Sequence, residues 1–205
     1  MNDRNADFYL ASASPRRHDL LLQLGYRFAV LPVAIDERAQ AGESGEAFVR
    51  RTAIGKAMAG WRVVETGIAL PVLGADTAVV VDGQILGKPE DAADAARMLG
   101  LLSGRTHRVL TAVAVTSGAT TRAELSETTV LFRDIEAHEI RRYWDTGEPR
   151  DKAGAYAIQG LAAAFVARIE GSYSGVVGLP LFETSSLLQS FGVRGWQRAG
   201  SDDER

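Results

Sequence analysis

The chain contains no cysteine among its 205 residues. That excludes disulfides, a thiolate nucleophile and cysteine-based zinc sites together, and is compatible with a reducing compartment. Histidine is scarce as well: His18, His107 and His138 are scattered without metal-ligand spacing, so they read as surface or core residues. Positive charge is not in excess, since 23 Lys and Arg against 26 Asp and Glu leave a net charge of -3. A binder of duplex nucleic acid would instead show a basic stripe. No apolar run approaches the roughly 18 residues of a membrane span, and the opening MNDRNADF is polar. Internal repeats and low-complexity stretches are also missing. The expectation is a soluble cytoplasmic protein with no nucleic-acid or membrane partner.

What is present is apolar material, 46% of the residues, enough for one sizeable core. The expected organisation is a single domain over residues 1–195, with two lobes, and a polar tail over 196–205. Strands and helices alternate, which predicts an α/β fold with a mixed sheet flanked by helices. A short strand at 8–11 leads to Ser14-Pro15, an N-cap followed by proline at the first helical position; that helix stops at Gly25. A strand at 28–33, a helix at 46–61 and a short apolar strand at 72–75 follow. Residues 78–81 and 84–86 flank Asp82-Gly83, a hairpin signal of type I′. Pro89 is expected to open the next helix, with Glu90 and Asp91 in its first turn and Ser103-Gly104 at its end. Paired strands at 108–116 and 123–132 precede a helix at 136–144. Residues 147–160 read as a long polar, glycine-containing loop, 163–170 as a strand and 181–191 as a closing helix.

The chemistry is concentrated at Ser12-Ala13-Ser14-Pro15-Arg16-Arg17. Two arginines in the first turn of a helix oppose the positive end of its dipole. A bound phosphate reverses the sign, because free N–H groups and guanidinium forks would then face an anion; Ser12 and Ser14 add hydroxyls. The alternative is a solvent-facing arginine pair whose stems cover the core. Lys56 falls on the Val49/Ala53 side of its helix and points toward a cleft, or else snorkels to the surface. Lys88 precedes a helix-opening proline, and Lys152 sits in the polar loop. Gly83 to Lys88 is not a Walker A motif, because only three residues separate the glycines and Pro89 occupies the Ser/Thr position. Asp76 ends an apolar strand, where α/β proteins place ligand-facing groups. It could hold a metal, deprotonate water, or simply form a turn. The pair Asp36-Glu37 offers oxygen ligands for a metal or belongs to a solvated loop. Gly171 to Gly175 lacks the G-x-S-x-G pattern of a nucleophile elbow.

These residues, taken in order, resemble the Maf-type nucleotide pyrophosphatases. The matching blocks are LASASPRR (10–17), Asp36-Glu37, GADT (74–77), LGKPEDAADAARMLGLLSGRTH (86–107), DKAGAYAIQG (151–160) and GSYSGVVGLPL (171–181). The resemblance implies a mixed α/β fold like that of the ITPases, with two lobes around a nucleotide-binding cleft. It implies hydrolysis of a nucleoside triphosphate to the monophosphate and pyrophosphate with a divalent cation, Mg²⁺ or Mn²⁺, and a homodimer. It makes Asp76 the proton acceptor for water, with Glu37 beside it placing metal or water, so Asp76 and Glu37 are the candidate metal ligands. Lys56, Lys88, Arg16, Arg17 and Lys152 would hold phosphate charge, together with Ser12 and Ser14. Arg16, Thr77 and Gln159 fit the branch that acts on dTTP and UTP; a Gln amide pairs with an imide edge as donor and acceptor. The competing expectations are a pyrophosphatase for 7-methyl-GTP or purine nucleotides, and a nucleotide-binding regulator of cell division and septum formation.

Overall fold

The computed structural model describes residues 5–66 and 69–196, so the polar tail expected at 196–205 lies outside it apart from Trp196. Among the described residues a seven-stranded mixed sheet runs β2-β1-β3-β5-β6-β7, with β4 also paired to β3. The strands are β1 (Phe8–Leu10), β2 (Phe28–Val30), β3 (Val72–Val81), β4 (Gln84–Leu86), β5 (Thr106–Thr116), β6 (Thr121–Phe132) and β7 (Val166–Glu170). The helices are α1 (Pro15–Gln23), α2 (Gly45–Val64), α3 (Ala92–Leu102), α4 (Ala137–Asp145), α5 (Tyr173–Val177) and α6 (Leu181–Gln189). The β1–β2 and β1–β3 pairs are parallel and the remaining pairs antiparallel. Among the described residues no helix is long and apolar enough to cross a membrane.

Alternation along β3 decides what each face buries. Ala78 and Val80 pack with Leu110, Ala112 and Ala114 of β5 against Phe48, Val49, Ala53 and Ala57 of α2. Leu73 and Ala75 join Val113 and Val115 against Leu21 of α1 and Leu187 and Leu188 of α6. Val79 and Val81 meet Leu99 and Leu102 of α3 and Ile140 and Tyr143 of α4. Successive residues of a strand point to opposite faces, so Asp76 shares the α2 face and Thr77 the other.

Several expectations change at their boundaries. The strand expected at 72–75 and the first hairpin arm at 78–81 are one strand, so Asp76 stands in the middle of β3 and does not end it. Nine consecutive pairs with β5, from Val72↔Thr116 to Val80↔Arg108, hold Asp76 and Thr77 in a ladder that their local propensity would not choose. The Asp82-Gly83 turn is present, with φ of 50° and 76°. Pro89 does not open α3: Asp91 caps it, its side chain accepting from Asp94 N at 2.8 Å. Lys88 is therefore not at a helix N-terminus. Residues 147–160, expected as a long polar loop, are neither irregular throughout nor polar throughout. They form 3-10 turns at Glu148–Asp151 and Ala153–Ala155, and Ala155, Tyr156, Ala157 and Ile158 are buried. The strand expected from residue 163 begins at Val166, after a 3-10 turn at Leu161–Phe165.

The sheet leaves an opening. On the edge of β3 away from β5, β1 pairs only with Val72 and Leu73, and β4 only with Val79 to Val81. Among the described residues no strand lies beside 75–78 of that edge. This is a place where strand order switches, which in open α/β sheets is where ligands enter.

Candidate active site

A cavity of about 530 Å³ fills the opening. Ser12, Ser14, Arg16, Arg17, Glu37, Lys56, Asp76, Thr77, Lys88, Lys152 and Gln159 all line it, so the fold brings together the candidate site residues of the sequence except Asp36. Its lining mixes two characters. The residues from Ser12 to Arg17, with Lys56 and Asp76, are polar and charged, while Val79, Leu86, Val109, Val176 and Val177 supply apolar wall.

Asp76 and Lys56 form the buried centre, each less than a tenth exposed. The Lys56 ammonium donates to Asp76 Oδ1 at 2.8 Å and lies 3.1 Å from Glu37 Oε1. This contact depends on a close approach of backbone to backbone. A Cβ on Gly74 would stand 2.3 Å from the Ala53 carbonyl oxygen and 2.6 Å from Ala57 N of α2, so only glycine lets the helix lie this near to β3. Burial pushes the Asp76 carboxyl above its ordinary range, and Lys56 and Arg17 pull it back. Glu37 and Asp36 separate: Asp36 turns to Arg38 at 2.7 Å, leaving Glu37 alone of the pair in the cavity. Asp76 and Glu37 thus converge on the Lys56 ammonium. Among the described residues no group of three or more Asp, Glu, His or Cys is arranged to hold a metal ion.

The two arginines diverge. Arg17 is 8% exposed, so the solvent-facing alternative does not hold for it. Its Nε donates to the Gly178 carbonyl at 2.8 Å, Nη1 to Ser12 Oγ at 3.2 Å and Nη2 to Thr77 Oγ1 at 3.3 Å. Three of a guanidinium's five N–H groups are committed to the protein, and burial lowers the Arg17 pKa. Ser12 Oγ also accepts from Ser14 N at 3.2 Å, and the Ser14 side chain makes no capping bond. Arg16 reaches across the cavity to Asp151 Oδ2 at 3.4 Å, and Asp151 also pairs with Lys152. Gln159 is exposed at the rim.

Sequence reasoning missed the supports of this site. Thr111 Oγ1 stands 3.0 Å from Thr77 Oγ1 and donates to the Gly175 carbonyl at 2.7 Å. Tyr156, on the cavity wall, is held at 2.9 Å by buried His107 Nε2. The signal that could have pointed to Thr111 is its polarity inside the apolar run of β5, and for His107 a similar position near the start of that strand.

The chain matches the model of a protein family described as Maf-like protein over residues 7–191. It is 53% identical to a dTTP/UTP pyrophosphatase of Saccharophagus degradans, the match covering 95% of this chain and 93% of that protein. It is 52% identical to a dTTP/UTP pyrophosphatase of Aromatoleum aromaticum over 94% of this chain and 98% of that one. Among solved structures, it is similar to a nucleoside-triphosphatase described as a dITP/XTP pyrophosphatase from Mycobacterium abscessus, at 18% identity and a TM-score of 0.40, covering 62% of this chain and 74% of that one. The last likeness is too slight to build on.

Proposed function

The chain belongs to the Maf-like protein family, and from that premise we propose that it is a cytoplasmic pyrophosphatase hydrolysing dTTP and UTP to the monophosphate and pyrophosphate. The observation that carries the reading is the buried Asp76–Lys56 pair, with Glu37 beside it, in a cavity also lined by Arg16, Arg17, Lys88 and Lys152. Such a cation-rich site suits a triphosphate, whose leaving pyrophosphate needs its developing charge neutralised. Relatives at 52% and 53% identity carry the dTTP/UTP name, which supports the pyrimidine substrates.

In this mechanism water adds to the α-phosphorus, the bond to the bridging oxygen of the β-phosphate breaks, and Asp76 takes the proton. Burial of Asp76 raises its basicity, which moves a carboxylate toward the range useful for a general base. Lys56 holds Asp76 in place and opposes the rise in its pKa. Arg17, fixed from three sides, presents its remaining N–H groups to phosphate, and Arg16 and Lys152 exchange Asp151 for phosphate oxygens. Gln159 at the rim reads the imide edge of the base, and Val176 and Val177 cover its apolar face.

A divalent cation suits the reaction: Mg²⁺ is commonly held by one or two carboxylates plus substrate phosphates, and Asp76 and Glu37, which both reach the Lys56 ammonium, bring two carboxylates into the cavity. Asp76 and Glu37 would hold it, and the bound ion would supply charge neutralisation at the phosphates. A homodimer belongs to the same reading, with family resemblance as its support.

A nucleotide panel with Mg²⁺ or Mn²⁺ tests the proposal, with pyrophosphate and orthophosphate resolved. Pyrophosphate release chiefly from dTTP and UTP, abolished by EDTA and restored by the metal, is expected. In the same panel Gln159→Ala flattens the base preference more than it lowers the maximal rate. Preference for 7-methyl-GTP or purine triphosphates would sink the substrate assignment. Binding without turnover would leave the regulator of cell division as the better reading.

A further inference from the structure

We propose that Thr111, on the inner strand β5 and outside the cavity wall, is a positioning residue that orients Arg17 through a one-way chain of hydroxyl hydrogen bonds. The direction follows from counting protons. A carbonyl only accepts, so the single Thr111 hydroxyl proton goes to Gly175 O, 2.7 Å away. Thr111 Oγ1 is then an acceptor toward Thr77, and the Thr77 proton fills the 3.0 Å contact between them. Thr77 Oγ1 is left with lone pairs alone on its cavity side, and one of them takes Arg17 Nη2 at 3.3 Å. Thr77 and Thr111 are directly opposed in the β3–β5 ladder, so the sheet itself sets the spacing of the two hydroxyls. Thr111 is 1% exposed, so its hydroxyl is shielded from bulk solvent.

The chain closes on itself. Its outer end, Gly175 O, lies in α5, and three residues later Gly178 O accepts from Arg17 Nε at 2.8 Å. Arg17 and Thr111 therefore grip the same short turn at two carbonyls. That turn also supplies Val176 and Val177 to the apolar wall of the cavity. One buried hydroxyl thereby ties the phosphate-facing guanidinium, the strand carrying Asp76 and the apolar wall into one unit. A further consequence concerns Thr77: with its proton spent on Thr111, it cannot donate to a substrate, and it influences selectivity as an acceptor and through Arg17.

The inference rests on the proposed phosphate-holding role of Arg17, so the test reads anion binding separately from turnover. Thr111→Val keeps the volume and branching and removes the hydroxyl; Thr111→Ser restores it. For the Val variant, kcat/KM for dTTP falls about tenfold, the scale of one buried hydrogen bond, and affinity for inorganic pyrophosphate by calorimetry weakens in parallel. The Ser variant stays within about twofold of wild type. Because the hydroxyls act in series, Thr77→Val combined with Thr111→Val is no worse than the poorer single variant, the non-additivity expected of a shared chain. Val113→Ala, a destabilising change in the same strand away from the chain, leaves both readouts unchanged and separates positioning from general stability. Wild-type kinetics and pyrophosphate affinity in Thr111→Val, or losses that simply multiply in the double variant, would overturn the proposal. If the wild type hydrolyses no pyrimidine triphosphate while the Val variant still loses pyrophosphate affinity, the substrate reading fails and the positioning chain stands.

Discussion

Asp76 is held in a place that disfavours its charge. Burial raises its pKa, and the 2.8 Å contact with Lys56 and the nearby Arg17 oppose that rise. Removing only the charge, in Asp76→Asn, keeps the side chain's size and a hydrogen-bonding oxygen for Lys56. Hydrolysis of dTTP is expected to fall about a thousandfold, the scale of a lost general base, while the dissociation constant changes by less than about threefold. Parallel pyrophosphate-release and equilibrium-binding measurements decide it, and turnover near the wild-type rate would remove Asp76 from the chemistry. At this scale the sequence was readable where one element contained the answer. Helical spacing from Val49 and Ala53 offered an inward Lys56, which is buried, and the Ser12 to Arg17 segment singled out for its chemistry lines the cavity. It was unreadable where partners came from elsewhere: the carbonyl that fixes Arg17 belongs to Gly178, 161 positions away, and a backbone acceptor leaves no mark in residue type.

Elements bring Asp76 and Lys56 together, and the tightest constraint on them is Gly74. A Cβ there collides with backbone atoms of α2 at 2.3 and 2.6 Å, which a side-chain rotation cannot relieve. Gly74→Ala is therefore expected to cost about 3 kcal/mol, the upper range of overpacking, and to lower activity further by moving Lys56 off Asp76. Gly100→Ala, in α3 with open space around it, is expected to be neutral or to stabilise by up to about 1 kcal/mol. Urea denaturation of both variants makes the comparison; equal stabilities would show that α2 can recede from β3 at no cost. Most elements were legible from periodicity and caps, including α1, α2, the Asp82-Gly83 hairpin and the β5–β6 pair. The failures share a cause. The break expected at Asp76 and the helix start expected at Pro89 followed local propensity, whereas a nine-pair ladder with β5 and the Asp91 cap decided the outcome. Residues 147–160 looked polar because Asp151 and Lys152 are, yet Tyr156 and Ile158 bury themselves against α3 and α4.

For the whole molecule, His107 couples pH to global stability. It sits in the core, packed edge-on to Phe132 and Tyr156, and joins β5 to the segment that carries Gln159. Burial lowers its pKa from the ordinary 6.5 to about 4, a backbone hydrogen bond with Arg105 opposing the shift. Between those values the unfolded chain binds a proton that the folded protein refuses, so stability falls as pH drops through this window and is unaffected by His107 above it. From pH 7.5 to 5 the loss is about 2 kcal/mol by that linkage. The carboxylates of Glu43 and Glu139, lowered to about 2 by hydrogen bonds from Arg51 and Arg133, withdraw their contribution lower down, as pH falls from the ordinary 4.5 toward 2. Asp76, with its raised pKa, acts in the opposite sense by taking up a proton in the folded state first. Comparing wild type with His107→Phe isolates the histidine, since the other groups are common to both. The variant is less stable at pH 7.5, because the Tyr156 hydroxyl loses its partner. Its denaturation free energy is also expected to depend on pH more weakly between 7.5 and 5, by about 2 kcal/mol. Equal pH dependence in the two proteins would mean that His107 accepts its proton without unfolding the core.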